Sequence, residues 1–384
     1  MTRPLRILTI IGARPQIIKA AALSRAVAGP YAGRIHETLL HTGQHYDPGM
    51  SQVFHDELGI PEASVQLAVG SGSHGDTTAR MLQGIEQELQ RGGHDAVLIY
   101  GDTNSTVAGA LAAAKLHIPI AHVEAGLRSF DKRMPEEVNR IIADHCSTWL
   151  FCPTRTAVDN LVREGFPLDT AQAPTANAPH VIACGDVMFD NSLHFAALAD
   201  RRSTLLEQCG LAGKPYALIT VHRDHNTDDP HRLRDLVRSF LELRATRGIA
   251  LVWPVHPRAR KQLEAHLPAQ ELAALQGGAG IHLLAPVGFL DMIALERHAS
   301  VVLTDSGGVQ KEAYFFGRPC VILRPTTEWV ELVQGGQAVL ADTDPQRILT
   351  AACHYLDHGI PAGEPLFGDG HAAEAICDHL LRHR

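Results

Sequence analysis

The sequence predicts an α/β protein built from two doubly wound, Rossmann-like parallel sheets, and three observations carry that expectation. Short, nearly all-apolar runs recur along the chain, each closed by Gly, Asp, Thr or Pro and separated from the next by a helix-length amphipathic segment. Continuous apolar strands alternating with helices belong to parallel sheets covered on both faces, whereas a sheet with one wet face alternates apolar and polar residues. The pattern then starts afresh in the second half, and the 384 residues suffice for two domains of ordinary size.

In chain order the first half offers "RILTIIG", "ETLLHTG", "AVLIYGD", "PIAHVEAG", "WLFCPT" and "HVIACGD" as strands. The second offers "YALITVHR", "IALVWPVHP", "IHLLAPVG", "SVVLTDSGG" and "PCVILRP". Between them, "DTAQAPTANAPH" (169–180) is rich in Ala, Pro and Asn and is one candidate linker. The strand "HVIACGDVMFD" fits better as the bridge, which sets the boundary near Gly185, with domains at 1–185 and 186–370. The last segment, "HAAEAICDHLLRHR", reads as a short amphipathic helix with a basic end.

Composition narrows the function classes. Hydrophobic residues at 45% and charged residues at 20% give each domain an ordinary core. A net charge of -8 gives no general attraction to phosphate backbones or anionic membranes, so neither nucleic acid nor membrane is expected as a partner. Seven cysteines form no CxxC pair, and several sit inside strand-like runs, which reads as reduced thiols of a cytoplasmic enzyme. The first apolar run, "LRILTIIGARP", is too short for a signal h-region or a membrane span. Histidine is abundant at 23 residues, but His41 and His45 are separated by a glycine on a loop, and His222 and His225 lack a third ligand of matching spacing. No metal site is expected.

Ligands of open parallel sheets sit beyond the carboxyl ends of the strands. The chemically unusual residues gather at those ends: Arg14, Lys19, Gln44, Asp102, Glu124, His222, His256 and the Ser306-Gly307-Gly308 turn. Their distribution over both halves predicts an active site in an inter-domain cleft. In "LTDSGGVQKEAYFFG" the two glycines allow close backbone approach, and the following helix start offers free N–H groups to an anion such as a diphosphate. Glu312 could take a pair of ribose hydroxyls; the plain alternative is an ordinary strand-to-helix turn. Arg14 and Lys19 oppose the dipole of the helix they open, which makes sense if they share an anionic ligand. Asp102 has a strong competing reading as an N-cap. Glu124 follows the apolar run "IPIAHV" directly, where a carboxylate is costly unless it is paired, hydrogen-bonded or protonated.

Taken in order, "GARPQIIK", "HTGQHYD", "YGDTNST", "HVEAGLRS", "MPEEVNR", "VHR..N" and "TDSGGVQKEA" resemble the non-hydrolysing UDP-N-acetylglucosamine 2-epimerases over nearly the whole chain. The resemblance implies a GT-B fold whose C-terminal helix (371–384) crosses back onto the first domain, and a homodimer. It also implies inversion at carbon 2 of a UDP-N-acetylated sugar, with UDP released and recaptured and no cofactor. Carried onto this sequence, Asp102, Glu124 and Glu136 are the proton-transfer carboxylates and His222 joins them. A raised pKa at the buried carboxylate would suit reprotonation at neutral pH. Arg14, Lys19, His222, Ser306, Gly307 and Gly308 face the diphosphate, Glu312 faces the ribose, and Gln44, Arg133, Arg140, His256 and Trp329 complete the binding set. Glu137 is expected to form a local salt bridge, with Arg140 one candidate.

Three departures bear on the substrate: His225 stands in "HRDHN" where the family has Glu, Trp329 stands in "RPTTEWVE" where it often has Arg, and the uracil-side segment reads "APVGFLDM". With "SFDKRMPEE" and "TEWVEL", the chain resembles the branch acting on UDP-2,3-diacetamido-2,3-dideoxy-glucuronate for surface polysaccharide. Lys132, Arg133 and Arg324 are the candidate partners of the sugar carboxylate. The alternatives are UDP-N-acetylglucosamine as substrate, a retaining glycosyltransferase on the same fold, and a silent UDP-sugar binder.

Overall fold

The computed structural model describes residues 3–43, 62–168, 172–363 and 365–383, apart from the side chain of Arg14. The chain divides into two compact units, Met1–Asn191 with Pro365–Arg384, and Ser192–Glu364.

The first unit is built on seven parallel strands: β1 (Leu5–Ile11), β2 (Ile35–His41), β3 (Val65–Gln66), β4 (Ala96–Tyr100), β5 (Ile120–Val123), β6 (Trp149–Cys152) and β7 (His180–Ala183). Their order is β3-β2-β1-β4-β5-β6-β7. Strand β4 is buried along its whole length, as the continuous apolar runs require of a central strand. Leu8, Ile10, Val97 and Ile99 pack with Met81, Ile85 and the Ala-rich helix Asn104–Lys115 in one core. Gly12 is needed for closeness: a Cβ there would lie 2.1 Å from both Ser105 Oγ and Thr42 Oγ1. The final helix, Ala372–Arg382, belongs to this unit. Asp190 accepts the amides of Ala372 and Ala373 at its start (3.1 and 2.8 Å), and Tyr31 donates its hydroxyl to the Glu374 carbonyl.

The second unit repeats the scheme with β8 (Tyr216–Thr220), β9 (Ala250–Pro254), β10 (Ile281–Leu284), β11 (Val301–Thr304), β12 (Cys320–Ile322) and β13 (Ala338–Leu340). Their order is β10-β9-β8-β11-β12-β13, all parallel. Phe240 and Trp253 meet edge to face in its core, between sheet and helix.

Each sheet reverses its winding once, between β1 and β4 in the first and between β8 and β11 in the second. The crevice beyond the carboxyl ends at such a switch point is where doubly wound sheets bind ligands.

Candidate active site

The first switch point is held by a side chain the sequence reading passed over. Gln16, in the helix Arg14–Ala28, accepts the amides of Gly12 and Ala13 through Oε1 and donates Nε2 to the Tyr100 carbonyl and Thr106 Oγ1. Its amide thereby stitches the end of β1 to the end of β4. One turn further along the same helix, Lys19 is ion-paired with Glu124, at 15% and 11% side-chain exposure. The carboxylate after the apolar run is therefore paired with a cation instead of lying alone among apolar groups. Glu124 itself adopts a left-handed backbone, φ 70°, a conformation that costs a non-glycine residue about 1 kcal/mol or more and is kept where the surroundings impose it.

Asp102 does not cap the helix Asn104–Lys115: Thr103 does, accepting the Thr106 amide while Thr106 Oγ1 accepts the Thr103 amide. That leaves the Asp102 carboxylate for Arg140, whose guanidinium also holds Glu137 at 2.8 Å. Glu137 is buried and structural, accepting the Ser129 amide and hydroxyl and the Phe130 amide (2.8, 2.9 and 3.0 Å). Burial alone would raise its pKa, but the Ser129 hydrogen bonds, Arg140 and the Phe130 amide together bring it below the usual range. Its neighbour Glu136 stands exposed on the first turn of the helix Pro135–Cys146. Arg133 is exposed and paired with Asp131. Gln44 lies outside the described residues.

A buried network supports these turns from below. His122, on β5, meets Asp144 Oδ1 at 2.7 Å and the Gly101 carbonyl at 2.8 Å, and Asp144 Oδ2 accepts from the Gly126 amide and Arg128. Gly126 is obligatory, since at φ 78° an added Cβ would sit 2.4 Å from the Ala157 carbonyl. The turns bearing Asp102 and Glu124 thus share one scaffold.

The second switch point has a comparable device. Asp305, fully buried, accepts from the His222 and Arg223 amides, from Asn226 Nδ2 and from His222 Nδ1 at 3.2 Å. Burial would raise the Asp305 pKa, but His222, Asn226 and the Arg223 amide outweigh it and hold the group ionised below the usual carboxylate range. A fixed carboxylate on Nδ1 orients the imidazole and leaves Nε2 outward, and the His222 side chain is 50% exposed. His225 is exposed beside it on the short helix Asp224–Thr227. His256 caps the helix Pro257–His266 through the Arg258 amide.

Ser306 caps the helix Gly307–Phe315, accepting the Val309 amide. Neither glycine that follows has a positive φ, and an added Cβ would meet nothing closer than 3.6 Å at Gly307 or 3.9 Å at Gly308. The fold does not require glycine at either position, and glycine in a helix costs about 0.5–1 kcal/mol relative to Ala. An exposed helix start kept bare of side chains suits an anion. Trp329, 7% exposed, donates Nε1 to the Gly307 carbonyl at 3.0 Å, and the Lys311 ammonium lies 4.2 Å from its ring centre. Arg324 is bidentate with Glu328 (3.0 and 2.9 Å). Glu312 bears on the buried carboxyl of Glu296, whose pKa burial and then the Glu312 carboxylate push well above the usual range.

Fold and site together define an α/β protein of two parallel sheets that presents carboxylates at one switch point and an anion-receptive helix start at the other. The profile described as UDP-N-acetylglucosamine 2-epimerase matches residues 31–381, and the chain belongs to that family. It is 46% identical to the UDP-2,3-diacetamido-2,3-dideoxy-D-glucuronate 2-epimerase of Pseudomonas aeruginosa, over 98% of this chain and all of that protein. It is 36% identical to the UDP-N-acetylglucosamine 2-epimerase of Methanocaldococcus jannaschii, over 96% of each. A solved structure of the M. jannaschii UDP-GlcNAc 2-epimerase superposes with a TM-score of 0.84 at 35% identity, covering 98% of this chain and all of that one. The Neisseria meningitidis enzyme bound to UDP-GlcNAc gives 0.80 at 28% identity, covering 98% and 100%.

Proposed function

We propose that the protein is an isomerase that inverts carbon 2 of UDP-2,3-diacetamido-2,3-dideoxy-D-glucuronate, giving the mannuronate epimer. The carbon-2 proton is too weakly acidic for direct removal. The anomeric C–O bond therefore breaks first and expels UDP. Loss of the carbon-2 proton from the oxocarbenium gives a glycal, which UDP re-attacks as a proton arrives on the other face. In this reading the bare helix start at Ser306–Gly308 and the oriented His222 take the leaving diphosphate, Glu312 takes the ribose, and Arg14 and Lys19 add positive charge. Asp102, Glu124 and Glu136 move the proton. The observation that carries the reading is the pair of carboxylates beyond the ends of β4 and β5, beside the first switch point, Asp102 with Arg140 and Glu124 with Lys19. A transferase needs no such groups beside carbon 2, and a silent binder needs none at all.

The diacetamido-uronate is supported by the 46% identity to the P. aeruginosa enzyme over the full length of that protein and by Trp329, which lines the glycine turn where Arg is frequent. One observation favours UDP-N-acetylglucosamine instead: two of the cations available to a sugar carboxylate are already paired, Arg324 with Glu328 and Arg133 with Asp131. Catalytic efficiency on the two UDP-sugars decides between them. A charge-assisted hydrogen bond to the uronate is worth about 1.5–3 kcal/mol, a preference of roughly ten- to a hundredfold. Equal or better use of UDP-N-acetylglucosamine overturns the uronate assignment and leaves the epimerase standing.

We also place the enzyme in the cytoplasm, supported by seven free thiols, as a homodimer supplying surface polysaccharide or lipopolysaccharide synthesis. Light scattering at twice the 41.6 kDa chain mass would support the dimer, and the mass of one chain would reject it.

A further inference from the structure

Far along the chain from the carboxylates, three histidines converge at the edge of the first sheet. His180 opens the edge strand β7, His379 lies on the final helix, and His383 ends that helix one turn later. Their ligand nitrogens all lie within 4.8 Å of one another. His180 Nε2 meets the Gln172 carbonyl at 3.0 Å. A carbonyl only accepts, so Nε2 holds the proton and Nδ1 presents its lone pair. That is the outer partner a metal-ligating histidine ordinarily has. Nδ1 faces His379 Nε2 at 3.3 Å. Two nitrogens bound to one tetrahedral zinc at 2.0–2.1 Å stand about 3.3–3.4 Å apart, so this pair already spans a coordination edge. His383 is exposed at the helix end and needs only a side-chain rotation to close the third position. It also lines a cavity of about 610 Å³ reached by Arg3, Asp95 and Trp149, which leaves solvent access for a water as fourth ligand.

We propose that His180, His379 and His383 form a binding site for a borderline divalent cation, Zn²⁺ first, that clips the C-terminal helix to strand β7. Three imidazoles with neither carboxylate nor thiolate favour zinc and its neighbours over magnesium or calcium. The clip is separate from catalysis: its effect is to hold the returning chain end in place, because His180 and His379 are 199 residues apart in sequence.

The test is Zn²⁺ titration of the full-length protein against a chromophoric chelator, with the thermal midpoint measured in parallel, in wild type, His379→Gln and His383→Gln. His383→Gln changes an exposed side chain and keeps the contacts of His180 with His379 and with the Gln172 carbonyl, so it folds. The expected result is one tight site in wild type with a higher midpoint on adding Zn²⁺. Affinity should fall at least tenfold in either variant, the scale lost even when an outer partner of a ligand is removed, and the midpoint should no longer respond. Cobalt in place of zinc should give the visible bands of a tetrahedral site in wild type only. No tight site in wild type, or an equally tight one in both variants, overturns the proposal and leaves a hydrogen-bonded histidine cluster.

Discussion

Gly308→Ala separates the demands of the fold from those of the ligand. Residue 308 lies in the first turn of the helix Gly307–Phe315, and the new methyl would stand 3.9 Å from Glu312 Oε2 and from Ser306 Oγ, an ordinary contact distance. The helix should gain up to about 1 kcal/mol from the better propensity of alanine. For a unit the size of Ser192–Glu364 that raises the unfolding midpoint by about 1–4 °C. The same methyl occupies the approach to the amides, and losing one charge-assisted N–H bond to a phosphate costs about 1.5–3 kcal/mol, a roughly ten- to hundredfold weaker UDP complex. Calorimetric titration with UDP and a thermal scan on the same sample read both effects. A variant that is steadier to heat yet binds UDP poorly is the expected outcome. Unchanged UDP affinity would refute the argument that this helix start is bare for the sake of an anion.

Glu124→Gln keeps the shape and removes the proton carrier, so turnover should fall about a hundredfold or more while UDP binding persists; near-normal turnover would make Glu124 purely structural. Asp305→Asn should loosen the orientation of His222 and lower turnover about tenfold or more, measured at saturating substrate. Folding depresses the Asp305 pKa, so its stabilisation is complete above pH of about 4 and fades as pH falls through the lower folded value. The variant should lack that part of the acid-induced loss of stability seen in wild-type melts. Glu296 behaves oppositely: folding raises its pKa, so the site is unstrained at low pH and loses stability as pH rises through the folded value. Glu296→Gln should therefore raise the thermal midpoint at pH 8 and leave it nearly unchanged at pH 4. Activity at 25 °C should survive chelation, since no step of the proposed chemistry uses a metal; a loss restored by a divalent ion would contradict the mechanism.

Apolar runs placed eleven of the thirteen strands among the described residues, because burial on both faces of the inner strands writes itself into composition and the half-buried edge strands β7 and β10 are apolar enough to follow it. The two that escaped, β3 (Val65–Gln66) and β13 (Ala338–Leu340), are edge strands of two and three residues, too short for any pattern to emerge. Residue types at the strand ends pointed to the switch points, since a charged group after an apolar run stands out locally. What they touch did not show. Asp102 reads as a cap until Thr103 is seen to take that role, and Gln16, Asp144, Asp305 and Glu296 act through partners distant in sequence, such as His222 and Asp305, 83 positions apart. His379 and His383 carried an i, i+4 signal, but the third member lies on another element, and helical spacing alone cannot name it.

The central claim is reversible loss of the carbon-2 proton after UDP departs. Incubating the enzyme with UDP-2,3-diacetamido-2,3-dideoxy-D-glucuronate in deuterated water, with no acceptor present, and following carbon 2 by NMR tests it most directly. The account predicts deuterium at carbon 2 of both epimers as they equilibrate. Epimerisation with carbon-2 hydrogen fully retained, or no exchange with this substrate or with UDP-N-acetylglucosamine, would contradict it.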